Sequence, residues 1–156
     1  MMAVEIVAEN VRWPASRRAR QAAQEAKRLR LAHANALIEI IAGHGRRFFY
    51  SRTHDRVASM TLDDGGRVYY VDDYSGRRVY TSKPGSWDGM GFSHGGTLKD
   101  LVERLRDYIS KGRLLPRWVI GISRPNGSNT WGYDNESMAK VRELAYALPI
   151  MESDPE

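Results

Sequence analysis

Cysteine is absent from all 156 residues of the chain. That absence removes disulfide scaffolds, thiolate zinc sites and thiol redox chemistry together, and it fits a reducing compartment. Long apolar runs are missing too. No stretch approaches the roughly 18 residues of a spanning helix, and the basic N-terminal stretch is not followed by the apolar region and cleavage site of a secretory signal. The expectation is a soluble, intracellular protein with no membrane partner. Short catalytic motifs are also lacking: no Gly-Lys pair followed by Ser or Thr closes a Walker loop, no GxSxG elbow presents a nucleophile, and no two histidines stand at the spacing of a helical zinc site.

What is present fits one globular domain spanning 1–156, since 42% apolar and 28% charged residues are ordinary for a folded chain of this length. The charge is uneven. Arg12, Arg17, Arg18, Arg20, Lys27, Arg28 and Arg30 face the single acid Glu25, a local sum of +6 that leaves −1 for the rest of a chain whose total is +5. One element carries the basicity, which points to an anionic partner for that element.

Residues 3–8, AVEIVA, alternate well enough for a short strand. Residues 14–43 are rich in helix formers, with Pro14 suited to a first turn and Gly43 and Gly45 to a stop. They predict a long basic helix whose apolar stripe runs through Ala19, Ala22, Ala26, Leu29, His33, Leu37 and Ile40. The stripe is weak in its first half, where it is mainly alanine, and strong at ALIEII, so the C-terminal half is expected on the core and the N-terminal half to project or lie against a partner. The period then changes. RRFFYS, RVASMTLD, GRVYYVDD and RRVYTS read as four strands of an antiparallel meander over 46–82, joined by turn residues, with Asp64 and Gly65 as the strongest hairpin signal. A Gly-rich loop fills 83–97. Residues 98–148 give a helix capped by Thr97, a fifth strand at WVIGIS and a last helix capped by Asp134 or Asn135. A loose tail follows at 149–156. The predicted class is α+β: a four- to five-stranded antiparallel sheet with three helices mainly on one face.

The Gly-rich loop, GSWDGMGFSHGGT, resembles a dinucleotide fingerprint only at first sight, because Gly89, Gly91 and Gly95 give GxGxxxG, one residue too long. Ser93, His94, Gly95, Gly96 and Thr97 remain as an anion site at a helix N-terminus, against the plainer reading of a cap and connection. Trp87, Met90 and Phe92 make the loop a contact surface or a lid on the core. The pairs Asp63, Asp64 and Asp72, Asp73 flank turns, where Asp is favoured for turn chemistry. His33 is expected to be packed, and His44 and His54 to be solvated or capping. Arg17, Arg18, Arg20, Lys27, Arg28 and Arg30 suit phosphate pairing, with a solvated helix face or a homodimer through the first helix as alternatives. An open sheet face would present several of Arg67, Tyr69, Tyr70, Arg78 and Tyr80 to a partner or to nucleic acid, with Arg67, Tyr69, Arg78 and Tyr80 as the contact candidates. No metal or other cofactor is expected, and no catalytic residue is assigned.

The block RRFFYSRTHDRVASMTLDDGGRVYYVDDYSGRRVYTS, with GFSHGGTLKDLVERLRDYISKG after it, resembles small proteins carried by phages and prophages of proteobacteria, over residues 45–112. The resemblance implies an accessory protein in the bacterial host cytoplasm that binds and obstructs a host protein or nucleoprotein complex, as anti-CRISPR proteins do. Direct DNA or RNA binding through the basic helix is the alternative, and a small enzyme acting on a phosphate-bearing ligand through His94 is the third.

Overall fold

The computed structural model describes residues 2–45, 48–82, 92–93, 96–121, 131 and 133–153, and of residues 2–14 and 45 the backbone only. Helix α1 (Met2–Gly45) has 44 residues and is about 66 Å long at a helical rise of about 1.5 Å per residue. The strand expected at residues 3–8 is therefore helical. Six residues are too few to separate the two periods, since Val4, Val7 and Ala8 also stand at helical spacing, and Ala, Glu and Ile there extend helix as readily as strand. The helix also runs through Pro14, which removes one intrahelical hydrogen bond instead of starting the element.

Burial divides α1 in two. Residues 15–26 are all exposed, whereas Ala34, Leu37, Ile38, Ile41 and Ala42 are buried. The projecting N-terminal half matches expectation, but the stripe is rotated: Leu29 is 60% exposed, and Lys27 and Arg30 stand half-buried at core-facing positions. Lys27 Nζ donates to Gly66 O and Arg30 Nε to Ile109 O at 2.9 Å. Their stems lie along the body while their heads find carbonyls, an arrangement that counting apolar letters misses.

The meander is present and antiparallel throughout, but it is cut into two sheets. β1 (Tyr50–Ser51) pairs with β2 (Arg56–Val57). After Ala58 the chain enters β3 (Ser59–Leu62), which pairs with β4 (Val68–Val71), and β4 pairs with β5 (Arg78–Tyr80). RVASMTLD thus serves two sheets, with buried Ala58 as the join and its amide held by Phe49 O at 2.8 Å. The β3–β4 turn closes with Gly66 N donating to Asp63 O at 3.0 Å and Asp63 N to Arg67 O at 3.1 Å. The positive φ falls on Gly66, at 79°, one position beyond the Asp64–Gly65 pair that signalled the turn.

Met60, Tyr70 and Val79 form one cross-strand row on the inner face of the larger sheet, all essentially inaccessible. Helix α1 packs against β3 and helix α2 (Gly96–Lys111) against β4. Asn35, in the middle of α1, accepts from Met60 N at 2.7 Å and donates to Met60 O at 3.0 Å. Helix α2 buries Leu98, Leu101, Val102, Leu105, Tyr108 and Ile109, the stripe its spacing predicts. It begins at Gly96, so Thr97 lies inside the first turn and not at the cap.

The expected fifth strand is a 3-10 helix, Arg117–Ile120. Pro116 precedes it with φ −62° and no amide proton to offer a ladder, and its carbonyl instead accepts from Val119 N at 3.2 Å. Helix α3 (Asn135–Ala145) is capped by Asp134, whose carboxylate accepts from Ser137 N at 3.0 Å. The tail is not loose over its first half: Ile150 and Met151 are buried, and Leu115 forms a parallel bridge to Met151. Five short runs of β structure, with α1 packed on β3, α2 and α3 and with α2 packed on β4, make an α+β fold. Among the described residues no helix is long and apolar enough to cross a membrane.

Candidate binding surface

The basic residues of α1 fall into two groups. Arg17, Arg18, Arg20 and Arg28 are exposed. Lys27 and Arg30 each tie α1 to the body through the bonds already described, so part of their donor capacity is used within the chain. Between the projecting half of α1 and the β3–β4 turn lies a notch of about 340 Å³, bordered by Arg20, Gln24, Lys27 and Arg28 on the helix and by Asp64 and Gly66 on the turn.

The outer face of the larger sheet assembles the aromatic group that the sequence singled out. Tyr69 and Tyr80 are register partners with ring centroids 5.3 Å apart. The Arg78 guanidinium sits 4.4 Å above the Tyr69 ring, a cation–π contact. Arg67 is exposed and lies 3.6 Å from Asp63. The Arg67 amide, donating to the Asp63 carboxylate at 2.8 Å, holds that carboxyl below its ordinary value.

The proposed anion site is less coherent. Ser93 donates both its amide and its hydroxyl to Asp72 Oδ1 at 3.0 Å. The other oxygen of Asp72 accepts from Tyr74 N at 3.1 Å and Ser75 N at 2.8 Å. Asp72 and Asp73 are thus buried turn organisers. Tyr70 donates to Asp73 at 3.3 Å, and burial first, then the charges of Asp73 and Asp72, push its phenol well above the ordinary tyrosine value. Phe92 packs on Tyr70 with centroids 5.7 Å apart. Gly96 and Thr97 are exposed in the first turn of α2. Trp87, Met90, His94 and Gly95 lie outside the described residues.

Two of the histidines, His33 and His54, have contacts that fit their plainer readings. His33 Nδ1 is 2.7 Å from the Tyr108 hydroxyl, and exposed His54 stacks edge-on against Tyr74 at 4.9 Å. No group of three His, Asp or Glu side chains arranged to hold a metal occurs among the described residues. Sequence reasoning missed Trp118, which is 67% exposed with the Arg104 guanidinium 4.9 Å from its ring centre. A tryptophan inside an apolar run reads as buried, and only the 3-10 turn brings it out.

A family model described as YoqU matches residues 24–155. The chain belongs to the YoqU family. It is 32% identical over 124 residues to the "SPbeta prophage-derived uncharacterized protein YoqU" of Bacillus subtilis (strain 168), an alignment covering 80% of this chain and 84% of that one. The prophage setting expected from the central block holds, and the match is wider than the expected 45–112. The relative comes from a Bacillus prophage and not from a proteobacterial one. The YoqU match begins within α1, so Lys27, Arg28, Arg30 and the β3–β4 turn lie inside it while Arg17, Arg18 and Arg20 precede it. No solved structure matches the chain.

Proposed function

We propose that this YoqU-family chain is a non-enzymatic prophage accessory protein that acts in the bacterial cytoplasm by docking on a host nucleoprotein complex and obstructing it, an anti-defence role of the anti-CRISPR kind. The observation that carries this reading is the unbroken exposure of residues 15–26 of α1, with Arg17, Arg18 and Arg20 held on a helix that is anchored in the core at its other end. A rigid cationic projection meets an anionic surface with little ordering cost, because the helix is already formed. The Tyr69–Tyr80 pair with Arg78 supplies a second contact of the aromatic and arginine type that dominates protein interfaces.

The test is affinity capture from host lysate with the wild-type chain and with an Arg17→Glu, Arg18→Glu variant, each with and without nuclease. Specific enrichment of one complex, lost in the variant and kept after nuclease, supports docking on protein. Identical capture profiles for the two chains would sink the reading.

Direct binding of nucleic acid is the second reading, favoured by the grouping of Arg20, Lys27 and Arg28 about the notch. It predicts affinity for free duplex or single strand that falls steeply between low and physiological salt. A dimer through α1 would show instead as a doubled mass in light scattering. The enzyme reading rests on His94, and it fails if His94→Ala leaves biological activity intact.

A further inference from the structure

The notch between α1 and the β3–β4 turn has an unusual lining for its place in the fold. Leu31, Ala34, Ile38 and Ile41 mark the side of α1 that faces the body. At 100° per residue the same side continues towards the N-terminus as Lys27, Gln24 and Arg20, with Arg28 beside them. The side of the helix that is apolar below becomes donor-rich above, where, among the described residues, the tip of a hairpin stands opposite it.

That tip is built to stay close. Gly66 adopts φ +79°, and a Cβ there would lie 3.4 Å from Lys27 Nζ. Lys27 binds the Gly66 carbonyl, which fixes one wall and points a buried-stem ammonium along the floor. Three cations and the Gln24 amide then border about 340 Å³ against one carboxylate, Asp64. The volume lies at the small end of ligand sites, and the residual charge is +2.

We infer that this notch is a phosphate site, taking one phosphate group of a nucleic-acid backbone or of a free nucleotide. Arg20 and Arg28 stand about two turns, roughly 12 Å, apart along the helix and offer two planar forks to the oxygens from either end of the notch. Lys27 contributes a fixed point charge between them, and Gln24 a neutral donor. Asp64 limits the total charge and places an acceptor on the far wall, within reach of a base amino group. The site rests on the reading that the basic half of α1 meets an anion, but it needs no host complex.

The experiment uses the full chain and two probes, inorganic pyrophosphate by calorimetry and a fluorescent oligo-dT by anisotropy, at low salt and again at physiological salt. Arg20→Glu and Arg28→Glu are each expected to weaken binding by about tenfold or more. Arg18→Glu makes the same charge change on a side of the helix that does not border the notch, and at physiological salt, where the Debye length is about 8 Å, screening limits its effect to about twofold. Asp64→Asn is expected to tighten pyrophosphate binding. An oligonucleotide preferred over pyrophosphate with a steep salt dependence identifies a nucleic-acid backbone as the source, and equal binding identifies a free nucleotide or phosphate.

Equal losses in Arg18→Glu and Arg28→Glu would show diffuse charge and overturn the site, as would no binding of either probe at low salt. Lys27 is left unchanged because it supports the turn, and thermal melting of each variant checks that the fold persists. Binding of pyrophosphate with no host complex captured would sink docking and leave the site standing; the reverse would do the opposite.

Discussion

At the scale of single residues, Asn35 shows how one polar side chain inside a helix positions a sheet. Its amide satisfies both the N–H and the C=O of Met60, so its removal leaves two backbone groups facing the side of a helix. Asn35→Ala is expected to destabilise the fold by about 1–3 kcal/mol, the usual cost of unmatched buried groups, read from urea unfolding. Tyr70 sets a limit at high pH. Its folded pKa is raised by burial and by the neighbouring carboxylates, so the stability it contributes is complete below the unfolded tyrosine value and lost as pH rises. Unfolding free energy should fall above about pH 10 by roughly 1.4 kcal/mol per pH unit, and Tyr70→Phe should flatten that slope. Asp134 acts in the opposite range. Its hydrogen bonds to Ser137 hold its pKa below the ordinary carboxylate value, so its cap is intact above that value and lost as pH falls through the depressed one. A lower protection factor at the Ser137 amide on acidification, after correction for the intrinsic exchange rate at each pH, is the expected sign.

At the scale of elements, legibility followed the strength of the local pattern. Helix α2 was readable because six apolar residues stand at strict helical spacing and all six are buried. Helix α3 was readable from its cap. The strands were readable from Val and Tyr and from turn residues, but the cut at Ala58 was not, since one apolar residue carries no mark of which sheet it joins. The frame of α1 was misread because Lys27 and Arg30 occupy inward positions with their charged ends bonded to carbonyls. The corrected frame makes a paired prediction. Ile38→Ala, at a fully buried position, should cost about 2–5 kcal/mol, whereas Leu29→Ala should change stability by less than about 0.5 kcal/mol. Equal effects in denaturant titrations would contradict the frame. Of the candidate surface, the arginine run and the tyrosines were visible in the letters. The notch was not, because it joins residues about 40 positions apart in sequence through a turn whose geometry depends on Gly66.

At the scale of the whole molecule, a compact body carries a helix that outreaches it. Because residues 15–26 are all exposed and the family match starts at residue 24, a chain beginning at residue 22 is expected to fold. Its melting temperature should lie within a few degrees of the full chain's. It should also lose the partner engagement assigned to Arg17, Arg18 and Arg20. The C-terminus behaves differently, for Ile150 and Met151 are buried and Leu115 is bonded on both sides of the bridge they form, so deleting residues 149–156 should prevent stable folding as seen by circular dichroism.

The two outer strands of the three-stranded sheet are the places where another chain would add a strand of its own. Asn35 occupies the outward N–H and C=O of Met60 on β3, and Arg106 donates to the carbonyl of Thr81 just beyond β5. On the β3 border the outward pair of Met60 is therefore taken by a side chain from a helix. A second copy of the sheet that approached along β3 would find no free donor or acceptor at Met60 to begin a new ladder, which guards that edge against aggregation.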